Sequence, residues 1–358
     1  MYAASISGWL KGRGHRVAML TLTGSPIADE VGKRGVEVTG TSRAGYLLPS
    51  AVWAVVTCIG RYRPDIIHAH LSRDLWVIAM GRAVSYRVPV VFSQQMASSY
   101  PKRDVLHRWV WSGVSQVGAL TEEIRVKTAS STAIPEHRIA VLPYGVDTDE
   151  LAPKAGLGES LRQRYGIGVR DFVVGIVGRL DPGKGQHVFL EALWRLEHEK
   201  GIMGVLVGEE THGEPGYRQV LQDQVQRFGL GDRVRFLGYI SDPKDIYPML
   251  DVLVLPSRKE TFGLVLIEAM GFGLPVVATE AGGVPEIVVD GVTGILVPPD
   301  DPVTLAGAID KLVADRDMCR DMGQKGRERA IEKYRLSDHL DRLESLFAQA
   351  VSEVHGTG

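Results

Sequence analysis

Short apolar runs alternate with longer amphipathic stretches along the whole chain. In the first half the runs fall at 16–22, 65–69, 89–92 and 139–142; in the second they fall at 172–177, 204–207, 233–236, 251–255, 275–278 and 294–297. Most are continuous runs of four to six residues, without the in–out alternation of a strand that faces water on one side. Such runs mark parallel strands covered on both faces. Between them, 187–199 and 217–228 carry apolar residues at helical spacing. Repeated strand–helix units of this kind predict an α/β fold of doubly wound, Rossmann-like parallel sheets.

A length of 358 residues exceeds one ordinary core and suits two domains. The polar stretch 145–168, rich in Gly, Asp and Glu and without a strand, divides them. We therefore expect domains at 1–150 and 168–335, and a helical tail at 336–358 that crosses back onto the first domain. Ligands of such sheets bind beyond the C-terminal strand ends, which puts the expected site in a cleft between the two domains. Residues 2–14 read as the end of a helix leading into the strand at Arg16. A domain of this type starts with a strand and a glycine turn, so the first strand is expected to be missing from a chain that starts late.

Composition narrows the class. The chain is 44% apolar and 23% charged, and its 41 glycines suit many tight strand-to-helix turns. Cys58 and Cys319 form no metal or redox spacing and read as thiols of a reducing cytoplasm. No apolar run reaches the roughly 18 residues of a membrane span. The nearest, 46–60, is interrupted by Pro49 and reads as a buried or membrane-surface helix. The net charge of −2 hides an asymmetry: residues 1–130 hold 16 Lys+Arg against 8 Asp+Glu, and the remainder 25 against 35. A basic first half suits either a solvated surface or an anionic acceptor or bilayer surface. The expected location is cytoplasmic, at the periphery of the membrane's inner face. No nucleic-acid partner is expected.

Two segments carry candidate chemistry. Gly178-Arg-Leu-Asp-Pro-Gly-Lys-Gly185 follows a buried run and opens a helix, where backbone amides favour a phosphate. It approaches a P-loop, but Gly185 stands where the Mg²⁺-holding Ser or Thr belongs, which disfavours a Walker NTPase. What remains is a turn bearing Arg179 and Lys184, two cations able to neutralise a diphosphate. The second segment runs from Pro256 to Met270, with a helix expected near Phe262. Glu260 precedes it and Glu268 lies within it, eight positions later. A carboxylate in an otherwise apolar helix needs partners, and sugar or ribose hydroxyls supply them. The amides of Thr261, Phe262, Gly263 and Leu264 suit a phosphate. A glycosidase also uses paired carboxylates, but that reading leaves Arg179 and Lys184 unexplained.

Glu260-x7-Glu268, preceded by Gly178-Arg179…Lys184-Gly185 and followed by Gly282-Gly-Val-Pro-Glu286, resembles the GT-B retaining glycosyltransferases of family 4 (glycosyl transferases group 1). The likeness spans nearly the whole chain and includes features of lipopolysaccharide-type members. It implies that Arg179 and Lys184 hold the donor diphosphate, Glu268 the ribose hydroxyls and Glu260 the donor sugar. It also implies that Gly178 and the Phe262–Leu264 amides lie near phosphate and sugar, and that Val207, Glu209, Tyr239 and Ile240 line the base pocket. The nucleotide-sugar is then a substrate, the acceptor a cell-envelope glycan or glycolipid, and neither cofactor nor metal is needed. The alternatives are a nucleotide-sugar epimerase of GT-B fold and a nucleotide-sugar-binding protein with impaired activity.

The first half offers less. His70 and Ser72 fall at a strand end, where an acceptor or sugar can touch them, whereas His68 is expected to pack. Where the family often has a histidine touching the donor sugar, this chain reads Phe92-Ser-Gln-Gln-Met96, so Gln94 or Gln95 takes that place. Arg103 and Arg108, with Trp109 and Trp111, suit either an anionic acceptor or an exposed helix face. Asp147-Thr-Asp149 and Asp315-Arg-Asp317 have the DxD spacing of metal-dependent transferases but read as capping and surface residues.

Overall fold

The computed structural model describes every residue except 1, 42–48, 86, 97–99, 149, 152–155, 197–200, 211–215 and 356–358, and except the side chains of residues 243, 354 and 355. Two compact units divide the chain: Met1–Pro143 with His339–Gly358, and Tyr144–Asp338.

In the first unit the strands are β1 (Ala18–Leu22), β2 (Glu37–Thr41), β3 (Ile67–Ala69), β4 (Val90–Gln94), β5 (Gln116–Ala119) and β6 (Ile139–Val141). Among the described residues they form two parallel sheets, β1-β2 and β3-β4-β5-β6. Only β4 and β5 are buried along their whole length. Leu20 of β1 and Ile67 of β3 pack against one cluster formed by Ala51, Val55, Ile59, Val77 and Val88. Pro49 opens the helix Pro49–Tyr62, where a fixed φ and a missing N–H cost nothing. Residues 46–48 of that expected helix lie outside the described residues.

The second unit adds β7 (Phe172–Val177), β8 (Ile202–Val207), β9 (Val234–Gly238), β10 (Val252–Leu255), β11 (Val276–Thr279) and β12 (Gly294–Val297). All six join one parallel sheet in the order β12-β11-β10-β7-β8-β9. β7, β8, β10 and β11 are buried throughout, as their uninterrupted apolar runs require. The helices Gln186–Arg195, Tyr217–Arg227 and Pro302–Ala314 pack their apolar faces into the same core. Strand order reverses between β7 and β10, so connections leave in opposite directions there and open a crevice at the strand ends.

Candidate functional site

The turns after β7 and β10 meet at that crevice. Gly185, in the left-handed region at φ +74°, ends the first turn and caps the helix Gln186–Arg195. A Cβ on it would lie 2.0 Å from the carbonyl oxygen of Pro256. The residue that disfavours the NTPase reading therefore has a structural reason: the two turns touch backbone to backbone. The Arg258 amide donates to the Gly183 carbonyl across the same contact, at 2.9 Å.

Across this junction Lys184 Nζ donates to Glu260 Oε2 at 2.7 Å, and the Glu260 side chain is only 13% exposed. The same carboxylate accepts from Ser257 Oγ at 3.4 Å and from the Thr261 amide at 3.2 Å. The Glu260 carbonyl accepts from the Gly283 amide at 3.1 Å, which brings the Gly282–Glu286 segment alongside. Arg179 is about half exposed and reaches Asp181 at 3.2 Å. Asp181 also accepts from the Gly183 amide at 2.7 Å, holding the cationic turn in shape. Gln186 fixes that turn from below by donating to the Arg179 carbonyl at 2.8 Å.

The helix expected near Phe262 begins at Leu264, with Gly263 at φ +88° as its N-cap. Glu260 precedes it, as expected, and Glu268 lies within it. Of the amides expected to face a phosphate, that of Thr261 is held by Glu260, while Leu264 starts the helix and is 40% exposed. Phe262 is buried, edge-on to Tyr144 and Tyr334 with centroids at 5.4 and 5.9 Å.

Glu268 sits largely buried, and its Oε2 accepts from Tyr247 Oη at 2.6 Å. Desolvation pushes its carboxyl up to about 7, with the Tyr247 bond opposing and nearby Asp242 reinforcing the rise. Tyr247 is wholly buried, and burial followed by the Glu268 charge raises its phenol well above the ordinary range. A neutral or half-ionised carboxyl held by a phenol is poised to accept hydroxyl donors from a ligand.

At the end of β8, Val207 is buried in the sheet, while the Glu209 carbonyl accepts from the Leu180 amide at 3.0 Å and its carboxylate pairs with Arg218. The Gly208 amide donates to the Gly238 carbonyl at 2.8 Å, so the β7, β8 and β9 ends are tied together beside Gly178. Tyr239 is 71% exposed just beyond them and Ile240 is half-buried.

In the first unit His70 follows β3, and its ring lies against that of His68 with centroids 4.1 Å apart and planes tilted by 49°. Its Nδ1 is buried without a partner, and burial pushes the imidazole down to about 4. His68 shares a 2.8 Å hydrogen bond with Ser93. Gln94 is buried in β4, with its amide nitrogen donating to the Met96 carbonyl at 3.1 Å; Gln95, next along, is half-buried. Arg103 donates to the carbonyls of Thr132 and Ala129, and Arg108 to that of Arg103. Trp111 is buried against Phe92, so only Trp109 of the two tryptophans belongs to an exposed helix face. Asp315 caps the helix Arg316–Lys333, accepting from the amides of Asp317 and Met318. Asp149 lies outside the described residues.

Sequence reasoning missed Tyr247, Ser257, Asp181 and Gln186. Only Asp181, before Pro-Gly-Lys, carried a local signal, that of an Asx turn.

The chain is similar over 99% of its length, and 95% of the other's, to HepE of Anabaena in complex with UDP-glucose, with a TM-score of 0.82 and 25% identity. Its fold is that of the GT-B glycosyltransferases. More particularly, residues 1–150 match the model for Glycosyltransferase Family 4, and residues 159–329 that for Glycosyl transferases group 1. Among curated proteins, a D-inositol 3-phosphate glycosyltransferase of Corynebacterium jeikeium is 37% identical over 52% of this chain and 46% of its own. A GDP-mannose-dependent alpha-(1-6)-phosphatidylinositol monomannoside mannosyltransferase of Mycolicibacterium smegmatis is 34% identical over 60% of this chain and 57% of its own. The alignments thus span about half the length of these two relatives.

Proposed function

We propose that the chain is a retaining transferase that moves a sugar from a nucleotide-diphosphate sugar to a lipid-linked or glycan acceptor of the cell envelope, without a metal. The observation that carries this reading is the Lys184–Glu260 pair at the strand-order reversal, flanked by Arg179 and a helix start. As the bond from sugar to phosphate breaks, negative charge gathers on the leaving diphosphate. Arg179, Lys184 and the first amides of the helix Leu264–Gly271 stabilise that charge in place. Glu260, facing the same cation, takes hydroxyls of the sugar, and Glu268 takes those of the ribose. The relative named for a phosphatidylinositol acceptor favours a glycolipid acceptor, the one named for inositol 3-phosphate a soluble phosphorylated one, and lipopolysaccharide-type acceptors are a further class to test. A glycolipid acceptor places the enzyme at the cytoplasmic periphery of the membrane.

The epimerase alternative needs a base beside the donor carbon, for which His70 is the candidate. A His70 imidazole held near 4 and sealed from solvent at Nδ1 is a weak proton acceptor at neutral pH.

The test is transfer from UDP-, GDP- and ADP-sugars to extracted envelope lipids, with the anomeric configuration of the product read by NMR and with EDTA present. We expect one donor to react with retention, and Lys184→Ala to lower turnover about 10²–10³-fold with folding intact. No cleavage of any donor sinks the reading; inversion or loss of activity in EDTA removes its retaining or metal-free part.

A further inference from the structure

The two cations of the donor turn are both paired with carboxylates of this chain, and the two pairs are built differently. Lys184 meets Glu260 at 2.7 Å, and the Glu260 side chain is 13% exposed. The same carboxylate is gripped by Ser257 Oγ and the Thr261 amide. Ser257 is itself fully buried, and its carbonyl accepts from Thr279 Oγ1 at 2.5 Å. This pair sits in a rigid frame. Arg179 meets Asp181 at 3.2 Å, with side chains 54% and 28% exposed. The main chain of Arg179 is fixed, since its carbonyl accepts from the buried Gln186 at 2.8 Å. Its guanidinium, half in water, can swing while the Cα stays in place. Asp181 is anchored through its other oxygen, Oδ1, which accepts from the Gly183 amide at 2.7 Å.

Charge decides which pair must yield to a diphosphate. The formal charges of Arg179, Asp181, Lys184 and Glu260 cancel. An anion brought to a neutral cluster gains little unless one cation exchanges its carboxylate for phosphate. Opening the Lys184–Glu260 pair would leave a largely buried carboxylate without its cation, which is costly. Opening the Arg179–Asp181 pair costs little, because solvent already screens it. A guanidinium also gains by the exchange, since its paired N–H donors match phosphate oxygens. Asp181 then stays in the turn, still tied to the Gly183 amide, beside the anion that displaced it.

We propose that Asp181 competes with the donor diphosphate for Arg179. It holds the guanidinium before the donor arrives, yields it to the phosphate, and takes it back as the product nucleoside diphosphate leaves. Asp181 is thus a positioning residue that acts through Arg179 and favours product release over tight nucleotide binding. The inference rests on the donor-site reading of this turn and adds to it a residue that opposes binding.

The experiment titrates UDP, GDP and ADP into the full chain and into Asp181→Asn by calorimetry, and follows nucleotide release by stopped flow. Asparagine keeps an oxygen for the Gly183 amide and loses the charge, so the turn is preserved. We expect Asp181→Asn to bind the preferred nucleotide about three- to fivefold more tightly at low salt, through slower release. The gain should shrink above roughly 0.3 M NaCl, and thermal unfolding should be unchanged. In steady-state transfer the same variant should show a lower KM for the donor and stronger product inhibition, with no rise in kcat. In an Arg179→Gln background the gain should largely vanish, because no guanidinium remains to be released. Two results overturn this inference alone: equal or weaker binding by Asp181→Asn where the unaltered chain binds nucleotide, or a gain of the same size without Arg179. Nucleotide binding by neither protein overturns the donor-site reading and this inference with it.

Discussion

The two units solve the same problem, a parallel sheet between helices, to different degrees of closure. In the second, six strands form one continuous sheet, and four of them are buried along their whole length. In the first, the described strands fall into a pair and a foursome, and β1 and β2 have no fully buried residue. A strand at a sheet edge leaves amides and carbonyls to water, and its local opening is correspondingly easy. Polar side chains are handled differently too. The second unit pairs its buried carboxylates with Lys184 and Tyr247, whereas the first stores neutral imidazoles. Chemistry that must stay in register belongs on the closed sheet. We propose that the more open unit supplies the contacts that adapt to an acceptor.

Acid should break the comparison most visibly. His70 and His339 are held down near 4 by burial, and His68 is driven well below its ordinary value for the same reason. His339 Nδ1 donates to the Pro143 carbonyl at 2.7 Å, so the neutral ring's Nε2 accepts from Tyr2 Oη, and protonation would require that hydroxyl to turn and accept instead. The unfolded chain binds these protons near 6.5 and the folded unit only near 4, so their contribution to stability is full above 6.5 and lost as pH falls towards 4. That amounts to on the order of 3 kcal/mol for each of His70 and His339. Calorimetry between pH 7 and 4 should show the first unit's transition falling fastest. His70→Asn with His339→Asn should flatten that fall; an unchanged pH dependence in the double variant would refute the assignment.

Gly185→Ala probes the closed unit where its turns touch. The left-handed φ and the 2.0 Å approach to the Pro256 carbonyl together predict a loss of about 3 kcal/mol or more. Thermal unfolding of the second unit reads it, and a change below about 1 kcal/mol would show that the two turns can part at little cost. A contrasting test in the first unit, Gly32→Ala in the helix Pro26–Lys33 with open space around the Cβ position, should hold or raise stability, by up to about 1 kcal/mol.

These contrasts also mark what the sequence could disclose. Strands β7, β8, β10 and β11 were legible because burial on both faces forces an uninterrupted apolar run; Arg179, Lys184 and Glu260 stood out in the turns that follow such runs, and Glu268 as a charge inside an apolar helix. Sheet order was not legible, since pairing β7 with β10 depends on contacts between segments nearly eighty residues apart. Tyr247 was hidden for a related reason: it lies 21 positions before Glu268 and meets it only through the fold. The tryptophans of one helix looked alike in sequence, and only packing on Phe92 separates buried Trp111 from exposed Trp109. Local pattern discloses what a residue needs, and the fold decides which distant group supplies it.

Glu268 gives the second unit a pH dependence tied to its ligand. Its carboxyl titrates near 7 in the free protein, whereas hydroxyl donors from a ribose would favour the ionised form. Binding of a nucleoside diphosphate should therefore release a proton and tighten as pH rises from 6 to 8, by about tenfold. Isothermal titration in buffers of differing ionisation enthalpy measures both quantities. Glu268→Gln should bind weakly with a flat profile, and a flat profile in the unaltered chain would remove Glu268 from the ribose.

The smallest effect should come from Tyr247→Phe, and it separates positioning from packing. Loss of the 2.6 Å bond takes from Glu268 a donor that favours its charged form, so its carboxyl should titrate higher still. Nucleotide affinity at neutral pH should fall by a few-fold, about 1 kcal/mol, and the midpoint of its pH profile should move upward. Because the ring of Tyr247 stays in place against Phe272, at 5.4 Å between centroids, stability should change by no more than about 1 kcal/mol. A midpoint that stays put while affinity falls would mean that the phenol only fills space. A midpoint that rises shows one buried hydroxyl setting the charge of the carboxylate beside it.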